Sequence, residues 1–433
     1  MVAAVNRAAD AAPQPTRARR TVVAFTLALM GVAYLDRVSI STAAPAMQAD
    51  LALGDAQMAW VFSAFTLAYA IFEIPGGWLA DRFGARATLA RIVLWWSAMT
   101  AATGAATGFT SLVALRFLFG MGEAGLLPGI SRTYGRWLPA RERGRAFGLA
   151  IMAAAVAGAL TQPLVVALLA RTSWRHAFPI FGATGLVWAA AWLRWFRDDP
   201  REHPAVNAAE RELIGCEPPA PHPRVPWRAL ARSRSLAALC AMYFCAIYGW
   251  YFYMTWLPTY LLRARGFDLR EVGWVAAAPL AAIAVGSLAG GALADALSRR
   301  LGPRRGLRAP GLVGFPLAAL AQLGAVATSS PLAAVALLSA SAALGALGMA
   351  PAWTCCLAIG GRHAGVVSGA MNTFGNLGGV FSPLVVGFCL ERWGAFDAPL
   401  YSIAALYAGA ALCWIWIDAE RPLEVGAKSP VAR

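Results

Sequence analysis

Long apolar stretches dominate the chain and alternate with short polar segments. Twelve stretches reach the roughly 20 residues that a helix needs to cross a hydrocarbon core about 30 Å thick. The pattern predicts twelve membrane-spanning helices, referred to as spans 1 to 12, near residues 22–46, 56–80, 87–107, 111–134, 144–169, 175–196, 236–261, 272–297, 309–328, 331–353, 363–390 and 398–418.

The long polar interruption at residues 197–235 divides the spans into six and six. It is rich in proline and charge, so we interpret it as a cytoplasmic linker. The predicted fold is an all-α integral membrane protein of two six-helix bundles. The bundles cover 22–196 and 236–418, with cytoplasmic tails at 1–21 and 419–433. In such paired halves we expect a substrate site near the midplane, between the bundles.

The charge distribution supports this topology. The chain is 59% hydrophobic and 14% charged, with a formal net charge of +15. Arginines concentrate before span 1 and in the loops after spans 4, 6 and 8. This alternation follows the positive-inside rule and predicts cytoplasmic termini, here in a bacterial inner membrane. The expected partner of the positive charge is therefore the lipid bilayer and not nucleic acid. Seven cysteines, mostly within spans, do not form a disulfide framework.

A glycine-containing, charged turn at residues 77–86 joins spans 2 and 3, and a degenerate copy at 291–295 joins spans 8 and 9. The repeat indicates two related halves. It resembles the loop signature of the major facilitator superfamily of secondary transporters, which implies a role in the conformational cycle. The residues that carry this resemblance are Gly77, Asp81, Arg82, Gly84, Arg86 and Asp295.

Four ionisable residues stand out inside predicted spans: Asp36 and Arg37 in span 1, and Arg116 and Glu123 in span 4. Charges in the bilayer are costly, so each is a functional candidate. Arg116 and Glu123 share one helix face, whereas Asp36 is expected to point toward a neighbouring helix of its own bundle. Structural alternatives stay open: Arg116 could snorkel to the outer surface, and Asp36 or Glu123 could be structural acids.

Three segments sharpen the resemblance: residues 34–37, 116–124 and 253–261. They resemble the anion:cation symporter branch of the superfamily, which carries galactonate, glucarate, hexuronates and other organic anions. The resemblance implies that Arg37 binds the substrate carboxylate and that Asp36 and Glu123 carry protons. It also implies that Arg116 governs the charge state of Glu123. Protons would be the coupling ion, with no metal or other cofactor.

The chemistry of these groups agrees with such roles. A guanidinium offers a planar fork that suits a carboxylate. Burial disfavours a charged carboxylate and a nearby cation favours it, so an Arg–Glu contact that opens and closes can bind and release one proton per cycle. Further candidates for substrate contact are Tyr34, Tyr69, Gln162, Tyr248, Tyr251, Thr354, Asn372 and Asn376. Several of these have a packing alternative, and Asn372 and Asn376 could instead bond between helices.

Glu73 departs from the branch pattern, in which related chains usually carry Gln at this position of span 2. It follows Tyr69 by four residues and so lies on a similar face. It could add a third titratable group or alter substrate choice. The alternative is a paired or protonated acid packed near the cytoplasmic end of the span.

The sequence therefore predicts a proton-coupled symporter that imports a small organic anion by alternating access and functions as a monomer. The expected substrate is a sugar acid: an aldonate, an aldarate or a hexuronate. An antiporter or exporter of drugs or phosphorylated solutes and a non-transporting membrane sensor are the alternatives. An enzyme is not expected, because the sequence has no nucleotide loop, zinc-ligand spacing or nucleophile elbow.

Overall fold

The computed structural model describes residues 14–215 and 227–421, which are almost entirely helical. Two single-turn 3₁₀ helices, Pro200–Glu202 and Gly361–His363, accompany the α-helices. The α-helices of these residues are α1 Ala18–Leu51, α2 Asp55–Thr103, α3 Phe109–Glu123, α4 Leu126–Trp137, α5 Ala140–Leu169, α6 Trp174–Trp195, α7 Ala208–Ile214, α8 Trp227–Arg232, α9 Arg234–Thr255, α10 Leu257–Arg265, α11 Leu269–Val275, α12 Ala277–Leu301, α13 Pro303–Ala327, α14 Pro331–Ala346, α15 Met349–Gly360, α16 Ala364–Trp393 and α17 Asp397–Trp416.

In the part of the chain that the structure describes, ten helices have the length and apolar composition needed to cross a membrane. Some combine two of the helices above, such as α3 with α4 over Phe109–Trp137. The ten coincide with predicted span 1 and predicted spans 4 to 12. Large apolar side chains such as Val187, Leu320 and Phe388 are 60–72% exposed on their surfaces, as expected for helices that face lipid.

Predicted spans 2 and 3 both lie in α2. At 1.5 Å per residue its 49 residues would extend about 74 Å, more than twice a hydrocarbon core. The helix is broken at Gly84, where φ is 80° and ψ is 162°. A residue with this φ is strained unless it is glycine. The break falls in the charged turn that the sequence placed between the two spans.

The helices pack in two groups, α1–α6 (the first half) and α9–α17 (the second half). Within the first half α2 packs on α3 and α6, and α1 packs on α5; within the second half α9 packs on α16 and α17. The halves meet mainly where α2 packs on α16 and α5 packs on α11 and α12. The interface therefore brings span 2 beside span 11 and span 5 beside span 8.

The segment between the halves is partly packed onto the first half. Glu210 in α7 is fully buried, and its carboxylate accepts hydrogen bonds from the backbone N–H groups of Ala18 and Arg19, at 3.3 and 3.2 Å. The Arg19 guanidinium also pairs with Glu210 at 3.0 Å and with Glu142 at 3.1 Å. The start of α1 is therefore held by α7 and by the start of α5, and α1 begins four residues before predicted span 1.

Candidate functional site

An ion pair connects span 1 to span 4 in the interior. Arg37 Nε lies 2.7 Å from Glu123 Oε1, and the Glu123 side chain is fully buried. Glu123 is the last residue of α3, and α4 begins only at Leu126. Glycine lets α2 pack closely against the break, because a Cβ at Gly76 would lie 2.7 Å from Gly125 Cα. Interrupted helices of this kind commonly form the binding sites of transporters.

Aromatic rings surround the Arg37 guanidinium. Its central carbon lies 5.4 Å from the ring centroid of Tyr34, 5.0 Å from Phe65 and 4.9 Å from Tyr69. The phenol of Tyr251 from the second half also interacts electrostatically with Arg37. The Arg37 side chain keeps 17% of its surface exposed. Arg37 is therefore a partly accessible cation in an aromatic setting, suited to a small anion.

Asp36 is turned away from Arg37 and toward the third predicted span. It is fully buried, and Glu123 and Arg116 act electrostatically on its carboxylate. The polar side chains of Thr100 and Trp96 lie next to the carboxylate, although neither of its oxygens makes a hydrogen bond of normal distance and angle to any residue in 14–215 or 227–421. A buried carboxylate with such weak partners is costly when charged and is suited to carry a proton.

Arg116 lies inside the first half and not at its surface. It is 1% exposed, with Nη2 3.4 Å from Thr103 Oγ1 and its guanidinium 4.4 Å from the ring centroid of Phe119. Snorkelling to the outer surface is therefore wrong for this residue. Arg116 interacts electrostatically with both Asp36 and Glu123, so it lies where it can influence both acids.

Glu73 bridges the two halves. Asn372 Nδ2 donates to Glu73 Oε1 at 2.6 Å, and Asn376 Nδ2 donates to Oε2 at 3.3 Å. Arg37 also acts electrostatically on Glu73. Asn372 and Asn376 were expected either to contact substrate or to bond between helices. In this conformation they bond between helices, and their partner is Glu73, the acid that departs from the branch pattern.

Three other candidates lie apart from Arg37 or are held by neighbours. The Tyr248 hydroxyl lies 2.9 Å from Ser402 Oγ within the second half, whereas Tyr251, three residues on, interacts electrostatically with Arg37. Thr354 is exposed, and its hydroxyl donates to the carbonyl of Ala350 at 3.2 Å. Gln162 is buried and accepts a hydrogen bond from Thr42, so it links α5 to α1.

The charged turn contacts the end of α6. Asp198 accepts a hydrogen bond from the Arg86 backbone N–H at 3.0 Å, and a Cβ at Gly84 would lie 2.8 Å from the same carboxylate. The Arg86 side chain donates to the carbonyl of Leu193. Arg82 is exposed beside Trp78, with 5.2 Å from its guanidinium carbon to the ring centroid. Asp295, in the second copy, is exposed. The surroundings of Gly77 and of the Asp81 side chain are not among the features that the structure describes.

The halves are joined at the predicted outer side. Arg263 of α10 donates to both oxygens of Asp55 at the start of α2, at 2.8 and 2.9 Å. Gln48 completes the contact, because its amide donates to Asp55 at 2.8 Å and its carbonyl oxygen accepts from Arg263 at 3.3 Å. Further inward, a small interfacial cavity of about 10 Å³ is lined by residues that include Tyr34, Gly158 and Trp250.

Sequence reasoning missed the groups around Asp36. Trp96, Thr100 and Thr103 follow one another at intervals of four and three, so they share one helix face in predicted span 3. A polar stripe on an otherwise apolar span is a signal that the sequence contained. The pairing of Asp55 with Arg263 had no local signal, because these residues lie 208 positions apart.

Comparison with known proteins agrees with this architecture. The model of the Major Facilitator Superfamily matches residues 26–383 and 239–433. A bacterial homologue of the human lysosomal transporter Spinster has the same fold, with a TM-score of 0.72 at 20% identity over 92% of this chain and 95% of that one.

Among curated proteins, the probable sulfoacetate transporter of Cupriavidus necator is 37% identical over 94% of this chain and 95% of its own length. The probable galactarate/D-glucarate transporter of Escherichia coli is 30% identical over 96% of each chain. The D-galactonate transporter of Escherichia coli is 30% identical over 92% of this chain and 95% of its own. The chain, with its multiple apolar helices and its buried charge cluster, therefore belongs to the Major Facilitator Superfamily.

Proposed function

We propose that this protein is a proton-coupled symporter that imports a small organic anion by alternating access. The observation that carries the proposal is the buried pair Arg37–Glu123, at 2.7 Å, beside the Asp36 carboxylate. Relatives named for sulfoacetate, galactarate or D-glucarate, and D-galactonate support an acidic substrate.

The coupling follows from charge balance. Arg37 and Arg116 formally balance Asp36 and Glu123, while the carboxylate of Glu73 is bound by the amides of Asn372 and Asn376. A substrate carboxylate that binds Arg37 competes with Glu123 for the same guanidinium, and an ionised Glu123 without its partner costs several kcal/mol. Uptake of a proton removes that cost. Anion binding and proton binding therefore favour each other, and the linkage is reciprocal.

We also propose a membrane topology of twelve spans for this transporter. The two parts of α2 on either side of Gly84 would cross the membrane separately, which gives twelve spans in two bundles. An even number of spans leaves both termini on the same side of the membrane as the arginine-rich loops. By the positive-inside rule this is the cytoplasmic side, here of a bacterial inner membrane. The contact between Asp55 and Arg263 would close the outer side, and one chain would suffice as the transport unit.

The test is uptake into proteoliposomes with an imposed inward proton gradient. The panel contains sulfoacetate, galactonate, galactarate and a hexuronate, with an uncoupler as the control. Accumulation of one acid that collapses with the uncoupler supports symport. Uptake that an opposing gradient drives would support the antiporter alternative. No uptake of any acid by folded, inserted protein would overturn the proposal and favour a sensor.

A further inference from the structure

Glu73 lies at the meeting point of both halves, one helical turn beyond the aromatic ring that contacts Arg37. Tyr69 is 4.9 Å from the Arg37 guanidinium, and Glu73 follows it by four residues, about 6 Å along the same face. From the second half, the side-chain amides of Asn372 and Asn376 donate to its carboxylate. An acid that Arg37 holds and that extends along this face of α2 would meet Glu73 at its other end.

Arg37 and Glu73 offer different chemistry to the two ends of a substrate that lies between them. Arg37 presents donors and positive charge, which suit an acid group. Glu73 presents a carboxylate, which accepts hydrogen bonds and repels a second acid group. Its two oxygens already accept from Asn372 and Asn376, so a second substrate carboxylate would have to compete for the same amide donors.

We infer that Glu73 selects substrates by charge, so that the site takes monocarboxylates whose far end carries hydroxyl groups, and disfavours dicarboxylates of the same length. This inference rests on the proposed function, because it assumes that Arg37 binds the acid group. Within the sugar acids it assigns aldonates as substrates and excludes aldarates. The far hydroxyl donates to Glu73, whereas a far carboxylate meets like charge at hydrogen-bond range.

The experiment compares two pairs of six-carbon acids that differ only in the terminal group: galactonate with galactarate, and gluconate with glucarate. Binding constants are measured for the purified full-length protein and for Glu73→Gln. Glutamine keeps the size of the side chain and a carbonyl that accepts from Asn372, but it removes the charge. Glu212→Gln, an exposed carboxylate in α7, is the control.

We expect the wild type and the control to prefer the monocarboxylate of each pair. We expect Glu73→Gln to shift the preference toward the dicarboxylate by about tenfold or more, as removal of a like charge in a partly buried site predicts. An unchanged ratio in Glu73→Gln, or a wild type that prefers the dicarboxylate, overturns the inference and leaves the proposed function intact. If the wild type binds none of the four acids or sulfoacetate, the proposed function fails, and the inference fails with it.

Discussion

Arg37 Nε lies 2.7 Å from Glu123 Oε1, and this contact ties the middle of α1 to the last residue of α3. The cation is partly accessible and the anion is fully buried. In the proposed mechanism, an incoming anion would reach Arg37, and Glu123 would lose its partner without gaining access to water. The substrate would then take the place of Glu123 at the guanidinium, and a proton bound by Glu123 would compensate the lost contact.

Glu123→Gln should reduce proton-driven accumulation by about tenfold or more, while substrate exchange at equal pH persists. The reason is that exchange needs no net proton movement, whereas accumulation needs a group that changes its charge. Uptake and exchange are measured in proteoliposomes, with Glu212→Gln as the matched control. Full gradient-driven accumulation by Glu123→Gln would exclude this residue as a proton carrier.

Arg37→Lys should weaken binding of the substrate anion by about 10- to 100-fold, because an ammonium keeps the charge but loses the planar fork. Binding is measured by calorimetry on the purified protein. Arg171→Lys, an exposed arginine between α5 and α6, is the control and should bind normally. Equal substrate affinities of Arg37→Lys and Arg171→Lys would show that the acid group of the substrate does not bind Arg37.

The contact of Asp55 with Arg263 should favour the conformation that is closed at the outer side. Its side chains are 20% and 45% exposed, so each single substitution, Asp55→Asn or Arg263→Gln, should shift the population by only about two- to fivefold. The readout is the rate at which an impermeant maleimide, added from the outer side, labels Gly158→Cys, a cavity residue, in a background without the native cysteines. Each single substitution should make this labelling faster.

The exchanged pair Asp55→Arg with Arg263→Asp should return the labelling rate to that of the unsubstituted contact. A labelling rate that none of these changes affects would count against closure by this contact.

Gly84→Ala should destabilise the protein by about 1–2 kcal/mol or more. Alanine is strained at the φ of 80° found there, and its Cβ would meet the Asp198 carboxylate at 2.8 Å. Thermal unfolding in detergent measures the effect. Gly135→Ala is the control, since a Cβ there meets nothing within 4 Å and alanine favours a helix. Equal melting temperatures for the two variants would mean that the break at Gly84 is not required.

His203, in the segment between the halves, should make stability depend on pH. It is buried, Nε2 donates to the carbonyl of Trp195 at 2.9 Å, and Nδ1 accepts from the Ala205 N–H at 3.1 Å. Burial lowers the pKa of His203 below its ordinary value of 6.5, so the folded state favours the neutral ring. The unfolded state then binds more protons, and stability is lost as the pH falls below about 6.5.

The measurement is the melting temperature between pH 8 and pH 5, a range that brackets the ordinary histidine pKa of about 6.5. His203→Gln should remove part of the loss of stability at low pH, although it also lowers stability at high pH because it replaces a well-bonded ring. His176→Gln changes an exposed histidine and should leave the slope of melting temperature against pH unchanged. Identical slopes for the wild type and His203→Gln would contradict a neutral buried ring at residue 203.

The apolar pattern by itself determined the helical membrane architecture, because a span of about 20 apolar residues has few other stable environments. It also indicated the four interior charges, since ionisable residues are rare and costly there. The break at Gly84 followed from the charged turn. These are local signals, and their physical causes act within one helix or one turn.

Only the tertiary structure decided which charges meet. Glu123 pairs with Arg37 from another helix, Arg116 turns inward and not to the surface, and Glu73 finds its amide donors about 300 residues away. Tyr248 and Tyr251 are three residues apart, yet one contacts Ser402 and the other faces Arg37. Such choices depend on how helices rotate and pack against each other, and a single sequence does not encode that rotation in any local pattern.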